Sequence, residues 1–326
     1  MRIITILCFQ YPKNSYLHLP SSYIDLYWTY LYAISICSNI RVFTDLTEQD
    51  DNLFSQRYNE LVEQHVITGG YVNLIGTIKQ KGHYCYYKQF GQMIKWFKQI
   101  VDDVAEPRHH LIYFSGHSIR QIMLLNTEAG LGLSDLIRLS DYSTRPYDQT
   151  FIVLDCCLKE SKFPYIYNQN GHWDPVQSES NSSLSNSDII GTTGQIICWC
   201  STRQNQALAS QYGSIFTNIL FGALSKIHLM ISSDPKMVNL DLISLINGVM
   251  GVARNQFGLD FDVYCNRDDI TRLWPWVVNC PADFYFKDGC FHLIIDGHRP
   301  AGQQCPNIPE QDDHLSGVEL RWLDVE

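Results

Sequence analysis

The sequence predicts an α/β fold in which a mostly parallel central sheet is flanked by helices on both faces. Two short apolar runs support this prediction; they lie in the stretches 109–118 (HHLIYFSGHS) and 149–160 (QTFIVLDCCLKE). A strand without a polar face belongs in the middle of a sheet that is covered on both sides. The third observation is that such runs alternate with segments of helical periodicity along the first half of the chain.

The first half of the chain is predicted to begin with two strands, at residues 3–9 and 39–44, separated by an aromatic-rich helix at 23–37. Residues 90–104 have apolar side chains at helical spacing and are followed by Pro107, which predicts a further helix. Between these elements, the polar segment 45–62 fits a loop or a helix, and 66–78 is ambiguous. After the strand in the stretch 109–118 we predict a strand at 121–126, a short helix at 133–139 and a strand at 150–154.

The composition changes sharply between residues 159 and 194. The run SESNSSLSNSD, at 178–188, has no apolar periodicity, so we predict a flexible loop of the kind that separates two subunits. Beyond it, strands at 195–200, 273–278 and 283–286 and helices at 213–227 and 240–253 complete a predicted domain of residues 1–286. A C-terminal extension follows at 287–326, with one further predicted strand at 291–295.

Charge and composition exclude several classes of protein. With 24 basic and 34 acidic residues the net charge is −10, so no broad basic face is available for nucleic acid or an anionic membrane. The apolar residues 1–10 are too few for a membrane span or a secretion signal. Eleven cysteines, an odd number, fit reduced thiols better than disulfides. We therefore expect a cytoplasmic protein that binds neither nucleic acid nor membranes.

A histidine and two cysteines follow the two central apolar runs. His117 comes after one run, and Cys156 and Cys157 come after the other. Sites in open α/β sheets lie beyond the carboxyl ends of the strands, so neighbouring strands would bring His117 next to one thiol. A thiol with a free pKa near ~8.5 needs a base or a helix N-terminus to ionise at neutral pH. The sequence therefore indicates a nucleophile and its base, with simple core packing of the thiols as the alternative.

A second cysteine pair, Cys198 and Cys200, could bind zinc or pack in the core. No other pair at ligand spacing accompanies it, and strand alternation would turn both sulfurs to one face. Core packing is the favoured interpretation, and no metal or other cofactor is expected.

The stretches around His117 and Cys157 resemble the histidine and cysteine motifs of caspase-like peptidases, with metacaspases and paracaspases nearest. YFSGHS (113–118) is followed about forty residues later by IVLDCC (152–157). The family shows Ser/Ala-Gly-His-Gly after one strand and Asp-x-Cys after the next. The resemblance continues through CSTRQNQAL, GSIFTNIL and LISLINGV…LWPWVVNCPADFYF, and so covers residues 1–286. It implies the caspase-haemoglobinase fold and a cysteine endopeptidase that acts on protein substrates through a thioester.

The resemblance implies roles for individual residues. His117 would be the general base and acid, and Cys157 the nucleophile, because the motif places the reactive thiol two residues after the aspartate. Backbone N–H groups of Cys157 and Ser118 would form the oxyanion hole. The family has glycine where Ser118 stands, and serine keeps the N–H but loses the freedom to adopt φ > 0. A pseudo-peptidase that keeps the fold and acts by binding is therefore the alternative function.

Acidic residues imply a preference for basic substrates. Asp155 matches the floor of the first specificity pocket, S1, of metacaspases and paracaspases. Asp25 resembles the second acidic pocket residue of paracaspases, although an acid in the first turn of a helix explains it equally well. The third acid of the pattern falls near Gln206. These residues predict cleavage after Arg or Lys, because a substrate aspartate beside Asp155 would bury two like charges.

The mode of activation stays open in the sequence. Among relatives it involves calcium, dimerisation through the C-terminal strand of the peptidase domain, or cleavage of the chain itself. Lys159 and Lys162 are candidate self-processing sites for an enzyme of basic specificity, and a solvated linker is the alternative. The chain has no EF-hand-like loop, although its acids leave calcium activation open.

Overall fold

A nine-stranded sheet with the spatial order β10-β9-β15-β11-β8-β4-β1-β2-β3 forms the centre of the protein in the computed structural model. The structure describes residues 2–63, 73–86, 90–102, 108–119, 122–125, 130–141, 148–157, 163–168, 172–176, 194–201, 207–210, 213–222, 224, 240–270, 273–274, 282–287 and 290–295. The strands are β1 (Arg2–Cys8), β2 (Ile40–Thr44), β3 (Tyr84–Tyr86), β4 (His109–Ser115), β5 (Ser118–Ile119), β6 (Ile122–Leu124), β7 (Gly130–Gly132), β8 (Gln149–Asp155), β9 (Tyr165–Tyr167), β10 (Trp173–Pro175), β11 (Gln195–Cys200), β12 (Ala209–Ser210), β13 (Gly213–Ser214), β14 (Leu240–Asp241), β15 (Asp262–Cys265), β16 (Leu273–Trp274), β17 (Ala282–Lys287) and β18 (Cys290–Ile295).

Six strands that are neighbours in the sheet run parallel to one another: β3, β2, β1, β4, β8 and β11. At the β11 side, β15, β9 and β10 extend the sheet by antiparallel pairing. The prediction of an α/β fold with a mostly parallel sheet is confirmed. The strand that carries the histidine motif and the strand that carries the cysteine motif, β4 and β8, are direct neighbours at the middle of the sheet.

Helices cover both faces of the sheet. Successive strand residues point to opposite sides, so apolar strands present apolar side chains on both faces, and both must be buried. On β1, Ile4 and Ile6 pack against one group of helices, and Ile3 and Leu7 pack against the other. The first group contains α1 (Ser22–Ile36), α2 (Glu48–Glu63), α3 (Leu74–Gln80), α6 (Ile215–Thr217, continued by a π-helical turn at Asn218–Gly222) and α7 (Leu242–Phe257). The second group contains α4 (Phe90–Asp102) and α5 (Leu133–Asp141).

Several short strands differ from the sequence prediction. β3 and β15 were not predicted, and β9 and β10 lie inside the segment 159–194, which was predicted to be a flexible loop. Each of these strands has only three or four residues, too few to show a period of two against polar neighbours. Tertiary contacts hold them instead; for example, the rings of Tyr167 and Trp173 meet edge to face with centroids 5.1 Å apart.

The described residues of the predicted closing strands do not join the central sheet. β16 pairs with β14, and β17 pairs with β18 in an antiparallel hairpin. The predicted domain boundary after residue 286 falls one residue before the end of β17. Within the ranges that the structure describes, no helix has the length and apolar character needed to cross a membrane.

Candidate active site

The register of β4 and β8 brings the ends of the two predicted catalytic segments together. Ser115, the last residue of β4, lies directly opposite Asp155, the last residue of β8. The Gly116 N–H continues this pairing with a 3.3 Å hydrogen bond to the carbonyl oxygen of Asp155. Since His117 and Cys157 each follow two residues beyond the paired positions, both lie at the same carboxyl edge of the sheet.

The imidazole of His117 is held by a main-chain carbonyl. Its Nε2 donates a 2.9 Å hydrogen bond to the carbonyl oxygen of Leu17. A carbonyl can only accept, so this bond places the ring proton on Nε2 and leaves Nδ1 as the basic nitrogen. Partial burial lowers the pKa of His117 below its usual value of 6.5, and the Leu17 carbonyl opposes this effect in part. The ring is therefore neutral at neutral pH and can accept a proton.

The two adjacent cysteines have different environments. Cys156 is 1% exposed and packs in the core between the sheet and α4 and α5, where burial raises its pKa well above the usual value. Cys157 is half-buried, and its sulfur accepts a 3.3 Å hydrogen bond from the N–H of Ala207. None of the hydrogen bonds among the described residues joins this sulfur to His117. Cys157 is thus the more exposed thiol of the pair.

Ser118 follows His117 as the first residue of β5 and pairs with Met123. Among the described non-glycine residues only Tyr11 has a positive φ, so the backbone of Ser118 does not need the conformations that glycine alone allows. The Ser118 hydroxyl is buried and makes no hydrogen bond of good geometry, although it lies near enough to Cys156 to oppose part of the rise in that thiol's pKa.

Two acidic side chains, Asp25 and Asp155, are buried behind this edge of the sheet, with exposures of 1% and 4%. Asp25 lies in the first turn of α1, but its carboxylate bonds to other elements. Oδ2 accepts a 2.9 Å hydrogen bond from the Ser115 hydroxyl, and Oδ1 accepts a 2.7 Å bond from the N–H of Ser214. The carboxylate therefore faces β4 and β13.

Asp155 is surrounded by hydroxyl groups. Its Oδ2 accepts a hydrogen bond from Thr217, whose hydroxyl in turn accepts a 2.6 Å bond from Tyr113. The hydroxyls of Ser214 and Ser201 lie close enough to lower the pKa of Asp155, but neither makes a hydrogen bond of good geometry. This polar lining partly replaces the water that the carboxylate loses on burial.

Burial raises the pKa of both carboxyl groups, and the charge of Asp155 raises the pKa of Asp25 further. The described residues supply no lysine or arginine bonded to either carboxylate. Two buried acids without a cation are held in an unfavourable state that a positively charged ligand would relieve.

Of the other residues singled out in the sequence, two lie in the core and three lie outside the described residues. Cys198 and Cys200 are buried on β11 with their sulfurs 3.9 Å apart, and the described residues contain no group of three or more potential metal ligands. Gln206, Lys159 and Lys162 lie outside the described residues.

Sequence reasoning missed Tyr11, Leu17 and Thr217 at the site. Leu17 acts through its main-chain carbonyl, which no residue-type pattern can reveal. Thr217 belongs to the stretch GSIFTNIL, where it is a fully buried residue next to the polar Asn218. A polar pair within this otherwise apolar stretch is the one signal that could have drawn attention to it.

Comparison with known proteins gives a structural similarity and no sequence match. The chain is similar to the crystal structure of caspase-1 from Spodoptera frugiperda, with a TM-score of 0.45 and 9% sequence identity, over 83% of this chain and 89% of that chain. No family model matches the sequence. No curated protein matches it either.

Proposed function

We propose that the protein is a cysteine endopeptidase of the caspase-like type that cleaves proteins after Arg or Lys. The observation that carries the proposal is the register of Ser115 with Asp155. It supports a dyad of His117 and Cys157 at one edge of the sheet, with a basic Nδ1 on the imidazole and a half-buried thiol.

In the proposed reaction, His117 Nδ1 takes the proton of the Cys157 thiol, and the sulfur attacks the carbonyl carbon of the scissile peptide bond. The oxyanion that forms is stabilised by the N–H groups of Cys157 and Ser118. The C–N bond then breaks, and His117 returns its proton to the leaving amine. A water molecule, deprotonated by the same imidazole, hydrolyses the thioester and frees the thiol.

The proposed specificity rests on Asp25 and Asp155. A lysine or arginine side chain that reached these carboxylates would turn two repelling acids into a hydrogen-bonded ion cluster. An aspartate side chain would instead bring a further acid beside two carboxyl groups that are already buried without a cation in the described residues. We therefore expect Arg and Lys to be accepted and Asp to be rejected, with calcium as a candidate activator.

The test is release of a fluorophore from short peptides that end in Arg, Lys or Asp, with and without calcium. Wild type is compared with Cys157→Ala. Cleavage after Arg or Lys that is lost in Cys157→Ala would support both the nucleophile and the pocket. Cleavage after Asp would refute the proposed specificity but retain the peptidase.

A second candidate function is that of a pseudo-peptidase that binds a partner without cleaving it. Ser118 favours this alternative, because it replaces the family's glycine and its buried hydroxyl makes no hydrogen bond of good geometry. Replacing Ser118 with Gly separates the candidates. A peptidase tolerates or benefits from the change, whereas a pseudo-peptidase stays silent with all three peptides in both forms.

A further inference from the structure

Tyr11 adopts a backbone conformation that is rare for a bulky residue. Its φ is +63°, in the left-handed region, and its side chain is only 3% exposed. Asp45, directly after β2, holds this conformation. One carboxylate oxygen accepts a 2.7 Å hydrogen bond from the Gln10 N–H, and the other accepts a 2.7 Å bond from the Tyr11 N–H. A strained residue that its surroundings fix so firmly is a reason to look for a function.

The tyrosine side chain reaches the residue proposed as the general base. Its hydroxyl accepts a 2.8 Å hydrogen bond from the main-chain N–H of His117 and donates a 2.8 Å bond to the carbonyl oxygen of Leu124. Its ring lies against the imidazole, with centroids 5.2 Å apart. Tyr11 thus contacts both the backbone and the ring of His117.

The glycine before His117 makes room for this contact. A Cβ atom at Gly116 would lie 2.6 Å from the Tyr11 hydroxyl oxygen. Any side chain at this position would therefore displace the hydroxyl. The glycine of the SGH sequence allows the tyrosine to approach the main chain at His117.

The same segment of chain fixes the other side of the imidazole. The carbonyl of Leu17 accepts from His117 Nε2, and the ring of His18 bonds to the Tyr11 carbonyl oxygen at 3.2 Å. The loop after β1 therefore controls the imidazole through both the tyrosine and Leu17.

We infer that Tyr11, locked by Asp45, is a positioning residue that holds the imidazole of His117 in the orientation in which its Nε2 donates to the Leu17 carbonyl. This inference rests on the proposed peptidase function for its catalytic consequence, but the hold on the imidazole exists independently of it. The tyrosine touches no reacting atom. It acts by fixing the main chain from Gly116 to Ser118 and by covering one side of the ring.

The test compares Tyr11→Phe with Tyr167→Phe. Tyr167→Phe is a matched control, because Tyr167 is also buried, at 4% exposed, and its hydroxyl also makes a hydrogen bond, to Asn247 at 2.9 Å. Tyr167 lies on β9, which is remote from β4 in the sheet. In Tyr11→Phe we expect kcat for a peptide ending in Arg to fall about tenfold with KM within about twofold, because a misplaced base slows the chemical step rather than binding. The control should retain wild-type kcat.

The deciding measurement is an NMR titration of the His117 ring in histidine-labelled protein, with the signal assigned by its loss in His117→Gln. Wild type should titrate below 6.5 in the Nε2–H form, and Tyr11→Phe should titrate at higher pH with mixed tautomers. A titration identical to wild type overturns the inference, whether or not the protein cleaves peptides. A changed titration in a protein without peptidase activity overturns the proposed function and retains the positioning role. If Tyr11→Phe does not fold, Asp45→Asn replaces it, because asparagine keeps only one of the two side-chain oxygens that accept from the Gln10 and Tyr11 N–H groups.

Discussion

Replacing Asp25 with Asn should separate the stability of the site from its proposed function. Asparagine has the same shape as aspartate, so its Oδ1 can still accept from the Ser214 N–H, and its amide can donate to the Ser115 hydroxyl. The change removes one of the two buried acidic groups of the candidate site, neither of which has a cation beside it in the described part of the chain. We therefore expect the variant to lose activity but to gain stability.

The sign of the stability effect follows from the raised pKa of Asp25. The folded protein keeps a proton on this carboxyl at pH values where the unfolded chain, with a pKa near ~3.9, has released it. The stability that this proton contributes is fully present below the unfolded pKa and is lost as the pH rises through the folded pKa, at up to about 1.4 kcal/mol per pH unit. Asparagine does not titrate, so the advantage of Asp25→Asn should grow with pH.

The size of the effect can be bounded from known buried charges. Replacing a buried ion pair by hydrophobic residues of similar volume is often neutral or stabilising by about 1–4 kcal/mol, and an acid buried without a cation has less attraction to lose than such a pair. We expect a gain in this range at pH 8 and little difference near pH 4. For cleavage after Arg, loss of one charge-assisted hydrogen bond of about 1.5–3 kcal/mol should lower kcat/KM about ten- to a hundredfold.

The assay is urea unfolding followed by circular dichroism at several pH values, with peptide cleavage measured on the same preparations. Asp174→Asn serves as the control, because Asp174 is exposed on β10 and its replacement should change the free energy of unfolding by less than about 0.5 kcal/mol. An Asp25→Asn variant that is destabilised equally at every pH would refute the reasoning, since the carboxylate would then be a net stabilising group.

Three further predictions concern the base, the second thiol and a buried ion pair. The acid limb of kcat/KM should lie below pH 6.5, because burial lowers the pKa of His117 and only its neutral ring accepts a proton; a limb above pH 6.5 in the pH profile would contradict this. Cys156→Ala should lower the free energy of unfolding by about 1–2 kcal/mol, because the thiol packs in the core, while kcat/KM stays within about threefold of wild type, unlike Cys157→Ala; a Cys156→Ala variant as inactive as Cys157→Ala would reverse the assignment of the nucleophile. Asp148→Ala should destabilise by about 3–5 kcal/mol in urea unfolding, because it leaves the Arg108 guanidinium, 6% exposed, without its carboxylate; a loss below about 1 kcal/mol would argue against a dry ion pair.

The sequence determined the fold class through its longer strands. Short runs of mostly apolar residues predicted β1, β4, β8 and β11, which are six or seven residues long, because a buried parallel strand must be apolar on both faces. The same runs placed His117 and Cys157 at strand ends. Short elements such as β15 escaped prediction because four residues carry too little periodicity to outweigh their polar neighbours.

What only the tertiary structure decided is how residues distant in the chain meet at the site. Asp25 bonds to residues 90 and 189 positions away, and the Tyr11 hydroxyl bonds to the main chain 106 positions away. The separate environments of Cys156 and Cys157 likewise depend on which side of the strand end faces the core. Local sequence patterns indicate whether a segment forms a helix or a strand and which of its faces is buried. The long-range contacts at the site depend instead on the strand register and on the path of the loops. The motifs that contain His117 and Cys157 can therefore be recognised in the sequence, but the residues that position them and change their pKa values are known only from the packing.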